Sequence, residues 1–301
     1  MGIFSSRKRP MHLGKYPMEA IKRVDRPTTE ISEDIPRVPK RAGFFVRARY
    51  GDLGPRPQRE VSRFASKYPL SASLGKLTRS QLPLHDGEVA PAMAPLPAYS
   101  QELADHIKSM CYFLDADVVG ICRVPEYAWY SHDSEGNPIE ARHEYAVVML
   151  IDQGFETMEG SSGDDWISSA QSYRAYLKGS TIALAVADYI RSLGYEARGH
   201  TNADSEVLHI PLTLLAGLGE LSRIGEVVLN PFLGPRFKTS IVTTNLPLAV
   251  DKPIDFGLQD FCNQCLKCAR ECPCGAIPFG DKVMFNGYEM WKPDAERCTR
   301  Y

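Results

Sequence analysis

Cys262, Cys265, Cys268 and Cys272 stand in the run C-x2-C-x2-C-x3-C, closed by Pro273, a spacing that holds [4Fe–4S] clusters. A tight turn through such a run aims three thiolates at three irons of one cubane, while the fourth cysteine points at a neighbouring cluster. Cys262, Cys265 and Cys268 are therefore read as ligands of a first cluster and Cys272 as a ligand of a second. Cys298 is placed as the opening ligand of the second cluster's own run. Two cubanes need eight ligands, but only six cysteines follow Phe261, and Cys274 fits no position of the pattern. The chain is therefore expected to be a fragment that does not close both sites by itself. A zinc knuckle is the bland alternative for the same four residues.

The rest of the composition narrows the classes of function. Cys111 and Cys122 stand apart from the other six cysteines, a metal-site distribution rather than the disulfide framework of a small secreted chain. With 301 residues, 44% hydrophobic and 24% charged, the chain has material for one large folded domain or two ordinary ones. A formal net charge of -2 and the lack of a basic stripe argue against a nucleic-acid partner. No apolar run reaches the roughly 18 to 20 residues of a membrane helix, since Asp188, Pro211 and Glu220 break the longest ones. No apolar signal segment follows the basic N-terminus, so the expected location is the cytoplasm.

The cysteine run needs elements to carry it, and these fall into three regions. Residues 1–97 are rich in Pro and Arg and read as an extended arm or linker. Residues 98–255 form the body, an α+β core. LADHIKSMCYFL, 103–114, has helical spacing, VVGICRV, 118–124, reads as a buried strand, and EYAVVMLI, 144–151, as a strand covered on both faces. Ser162, Asp164 and Asp165 are candidate caps for a long helix from Trp166 through Leu193, ended by Gly194. VLHIPLTLLAGLGELSRIG, 207–225, suggests a buried helix, followed by a loop flanked by short strands over 225–248. Residues 256–301 are the cysteine module, of bacterial-ferredoxin type. On residue type alone, Tyr176 is a core aromatic sharing a helix face with Tyr173 and Leu177, Arg236 and Lys238 are loop cations, and His209 is a core histidine. Gly217, Gly219 and Gly225 fit close backbone packing better than a phosphate loop.

Taken together, AQSYRAYLKG, RSLGYEA, ADSEVLHIPLTLLAGLGELSRIGEVVLNPFLGPRFK, LPLAVDKPIDFG and FCNQCLKCARECPCGAI, in this order across residues 98–301, resemble the reductive dehalogenases, and more closely their soluble catabolic branch. The resemblance implies a nitroreductase-like core holding base-off cobalamin, with two [4Fe–4S] clusters carrying electrons to cobalt. No Asp-x-His-x-x-Gly run offers cobalt a histidine. The implied substrate is a halogenated aromatic, a halophenol or halobenzoate, and the implied electron source is an external donor or reductase. A homodimer is compatible with the resemblance. Tyr176 falls where the family has its proton donor, Lys238 where it has the cation that stabilises the phenolate, and Arg236 is a second candidate for that cation. The competing readings are an epoxyqueuosine reductase acting on tRNA, which the acidic balance disfavours, and an iron–sulfur electron carrier without a substrate, which has no need of so large a body.

Overall fold

Tyr145–Asp152 reads YAVVMLID, a run without polar alternation that is stable as a strand only when both faces are covered. The computed structural model, which describes residues 9–161 and 165–301, gives it that place. The order of elements is α1 (Phe44–Arg49), α2 (Pro55–Ser66), α3 (Pro69–Ser80), α4 (Ser100–Phe113), β1 (Val118–Arg123), β2 (Tyr145–Asp152), α5 (Phe155–Glu159), α6 (Trp166–Ser192) and β3 (Ala197–His200). There follow α7 (His209–Leu215), β4 (Glu220–Leu221), β5 (Val228–Leu229), β6 (Phe237–Thr244), α8 (Leu258–Cys265), α9 (Lys267–Glu271), β7 (Val283–Phe285), β8 (Tyr288–Met290) and α10 (Ala295–Arg300).

The main sheet has the order β1-β2-β6-β3, with every neighbour antiparallel. Period-two alternation sends Val147, Met149, Ile151 and Val242 towards α4 and α6, where they join Ile107, Ala183 and Val186 in one core. The alternate residues Val148, Leu150 and Ile241 meet Leu212 of α7 and Trp129 in a second core. The result is an α+β body with a sheet between two helical layers. Cys111 and Cys122 are buried in these cores as small apolar residues.

Three elements differ from the sequence expectation. β6 is an eight-residue inner strand rather than a short flank of a loop. Its pattern was diluted by Thr239 and Thr243, whose hydroxyls face buried histidines. α7 is shorter than the apolar run suggested, because Gly217, at φ 67°, turns the chain against the carbonyl of Lys252, 2.1 Å from where a β-carbon would stand. Residues 44–80 hold three helices rather than extended arm. Pro55 and Pro69 each open a helix, where a missing N–H costs nothing. Residues 9–39 do run across the body: Met18 enters the second core, and Arg23 Nη1 donates to the carbonyl of Lys252 at 2.8 Å. Among the described residues, no helix is long and apolar enough to cross a membrane.

α6 is the element that positions the site. Asp165 caps it by accepting the Ile167 N–H at 2.7 Å; Ser162 and Asp164, the other candidate caps, lie outside the described residues. Gly179 lets the helix settle onto the sheet, since a β-carbon there would stand 2.4 Å from Ser240 Oγ and 3.0 Å from Ile151 Cγ1. Gly179→Ala is therefore expected to cost about 1–3 kcal/mol through overpacking. Unchanged urea unfolding of that variant would contradict so tight a seat.

At the far end of β6 lies a polar seam. The Glu206 N–H donates to His200 Nδ1 at 3.1 Å, so His200 carries its proton on Nε2 and gives it to Thr243 Oγ1 at 2.8 Å. The Thr243 hydroxyl then donates to His143 Nδ1 at 2.7 Å. His209 is likewise held through both ring nitrogens, by Thr239 at 2.7 Å and Ser205 at 3.1 Å, as a core histidine rather than a ligand. Burial pushes His85, His143 and His209 down to about 4, and His200 well below its usual value. The unfolded chain therefore takes up protons from pH 6.5 downwards while the folded one does not until about 4, so stability is full above 6.5 and is lost on acidification. Each neutral histidine is expected to cost about 2 kcal/mol of stability at pH 5. Urea titrations at pH 7.5 and pH 5 measure this, and equal midpoints would refute it.

Candidate active site

Lys238 and Ser240 lie on the same face of β6, the face that Gly179 of α6 meets. One turn earlier on α6, Tyr176 stands beside Lys238: the ammonium lies over the phenol ring, 5.1 Å from its centroid. Tyr173 packs edge-on against Tyr176, with centroids 6.0 Å apart at 72°. Tyr173 is in turn backed by Gly75 of α3, where a β-carbon would stand 3.1 Å from its ring. A helix from the first 97 residues thus buttresses the tyrosine pair. At the start of α6, Gln153 ties the end of β2 to the helix by donating to Gln171 and, at 3.2 Å, to Ser172.

Burial, helped by Tyr173, pushes the Tyr176 phenol up to about 12, and burial pushes Lys238 below its ordinary value. The phenol is accordingly protonated at neutral pH. In the resting protein it is the loss of water that holds the phenol in this form. Arg236 stands two residues from Lys238, but its Nε donates to Asp152 at 3.0 Å and its guanidinium lies 5.9 Å from the Phe155 ring centroid. The structure thus brings Tyr176 and Lys238 together and pairs Arg236 with a carboxylate.

The cysteines fall in two groups. Cys262 and Cys265 lie on α8 and Cys268 on α9, joined through Leu266 at a left-handed φ of 53°, a conformation a leucine holds only under local constraint. Cys262 is pushed up, first by burial and then by Cys268 and Cys265. Cys272 accepts the Ala276 N–H at 3.3 Å, which draws its thiol down to about 7, towards the thiolate that binds metal. Its sulfur lies 3.7 Å from that of Cys274, and Cys274 is pushed up by desolvation and by Cys272 and Cys298. Cys274, which fitted no position of the motif, thus sits with Cys272 and Cys298. Beside them is a cavity of about 700 Å³ lined by Cys274, Asp294, Arg297 and Arg300. Among the described residues, no three of His, Cys, Asp and Glu converge on one ion-sized position.

The lead-in to this module hangs on Glu220, 1% exposed, which accepts from the Phe256 N–H at 2.7 Å and from Thr28 Oγ1 at 2.7 Å. Sequence reasoning missed Glu220 and also Arg223 and Trp291, which pack around Cys262. A charged residue in an apolar run, at ELSR, was the available signal.

No protein-family model matches the chain. Over 166 residues, 52% of this chain and 29% of the relative, it is 36% identical to the tetrachloroethene reductive dehalogenase of Dehalobacter restrictus. A solved reductive dehalogenase structure, one bearing on a mechanism for B12-dependent dehalogenation, is 57% identical, with a TM-score of 0.94 over 98% of this chain and 43% of that one. The chain belongs to the reductive dehalogenase family. The catabolic reductive dehalogenase NpRdhA, in complex with 3-bromo-4-hydroxybenzoic acid, is 56% identical with a TM-score of 0.93 over the same shares. The chain spans less than half the length of these reductive dehalogenases.

Proposed function

We propose that the protein removes halide reductively from a halogenated aromatic of the halophenol or halobenzoate type, with base-off cobalamin reduced through [4Fe–4S] clusters held in part by Cys262, Cys265, Cys268, Cys272 and Cys298. The observation that carries the proposal is the Tyr176–Lys238 pair, a protonated phenol under a half-buried ammonium. The aromatic substrate class rests on the 3-bromo-4-hydroxybenzoic acid complex of NpRdhA. The nitroreductase-like cradle and the ferredoxin-like character of residues 256–301 belong to the same proposal. So does a cytoplasmic location.

The reaction balances as aryl halide plus two electrons and one proton, giving arene and halide. The corrinoid, when bound, supplies the low-potential electrons. Tyr176 supplies the proton: its burial keeps the hydroxyl intact until carbon accepts it, and the phenolate left behind faces the Lys238 ammonium. That attraction is absent while the phenol is neutral and appears as the proton leaves, so it favours the transition state over the ground state. Lys238 thus stabilises charge that develops during reaction. Arg236, neutralised by Asp152, holds the β2–β6 end on which Lys238 stands. An iron–sulfur carrier without a substrate has no use for this pair.

Elemental analysis of protein made anaerobically with corrinoid supplied tests the cofactors. Cobalt near one per chain, with about four irons for each complete cluster, is expected; iron without cobalt would move the assignment to the electron carrier.

A further inference from the structure

Trp291 is 1% exposed, and its indole Nε1–H has no acceptor. Arg223 Cζ lies over the ring 4.5 Å from its centroid, and Lys282 Nζ lies 4.8 Å from it. With two cations over the π system, the polar edge is what remains to be satisfied, and a buried donor is rarely left unpaired. The ring packs in one closed apolar cluster with Leu258 and Cys262, bordered by Leu229 and Phe256. Four carbonyls of this neighbourhood already serve another donor. Arg223, 3% exposed, gives Nε to the Cys262 carbonyl at 2.8 Å and Nη1 to those of Pro278, Phe279 and Gly280 at 3.0, 3.2 and 2.9 Å.

We propose that the missing acceptor of Trp291 is a sulfide of the first cluster, carried against the indole by Cys262, and that Arg223 positions the Cys262 turn and the indole for this bond. The proposal rests on reading Cys262, Cys265 and Cys268 as ligands of that cluster. A hydrogen bond to cluster sulfur is stronger when the cluster carries the extra electron, so it favours the reduced state and raises the potential. The two cations stacked on the same ring act in the same direction. Trp291 and Arg223 are positioning residues here: neither touches substrate, and their effect is read in the cluster itself.

The first test is redox titration of the holoprotein followed by electron paramagnetic resonance. Trp291→Phe keeps the apolar packing and removes the N–H. The first cluster is expected to become at least tenfold harder to reduce at a fixed potential, a shift of about 59 mV to more negative values for one electron. The second measurement needs no substitution: wild-type protein carrying 15N in its indoles should show hyperfine coupling between the reduced cluster and one 15N, with an exchangeable proton on it. A cluster present with neither the coupling nor the shift overturns the Trp291 proposal alone. A holoprotein without any [4Fe–4S] signal overturns the ligand assignment beneath it.

Discussion

Replacing Tyr176 with phenylalanine is expected to lower kcat for reductive dehalogenation by about 10²–10⁴-fold, the usual worth of a positioned general acid. The substitution removes one hydroxyl and leaves the ring that packs on Tyr173 and lies under Lys238, so the fold and the cluster content should be unchanged. Substrate binding should change little, because the hydroxyl acts as the proton leaves. Turnover at the parental rate, in protein with parental cobalt and iron, would show that the proton comes from elsewhere.

Lys238→Met is the second large effect expected, a loss of about 10²–10³-fold in kcat, comparable to deleting a group that stabilises developing negative charge. Its pH signature separates an electrostatic role from a packing one. Burial depresses Lys238 below the ordinary lysine value of 10.5, while the Tyr176 phenol stands at about 12. As pH rises, the ammonium is therefore the first of the two to lose its proton, and activity should decline on an alkaline limb below 10.5. Lys238→Arg keeps the charge and should move that limb upwards while restoring part of the rate. A limb at the same pH in the arginine variant would mean that another group titrates.

The parts of the fold legible in the sequence were those with a single physical reason behind them. YAVVMLID could only be a strand buried on both faces, and the stretch from Trp166 to Leu193 could only be a helix between an acidic cap and a left-handed glycine. The cysteine run was legible because its spacing is dictated by cluster geometry. β6 was not, because Lys238, Thr239, Ser240 and Thr243 interrupt its apolar pattern, and their partners lie far along the chain in α6, α7 and the histidine seam. The helices of residues 44–80 were hidden by prolines that serve as first-turn residues.

The site divides the same way. Tyr176 and Lys238 came from a family resemblance, and no local rule of spacing joins positions 62 residues apart; α6 resting on β6 through Gly179 joins them. The pairing of Arg236 with Asp152 depends on β2 and β6 being neighbours, which pattern alone did not reveal. Arg223 and Trp291 escaped notice because neither belongs to the cysteine motif, and only the folded chain brings them to Cys262.

The most direct measurement is anaerobic halide release from a bromo-4-hydroxybenzoate by the cobalt- and iron-loaded holoprotein, with a low-potential electron donor titrated in. One bromide and one debrominated 4-hydroxybenzoate should appear for every two electrons consumed, with neither product formed when the donor is withheld. Bromide released without consumption of electrons, or no release across halogenated aromatics by protein that holds both metals, would contradict reductive dehalogenation by this chain.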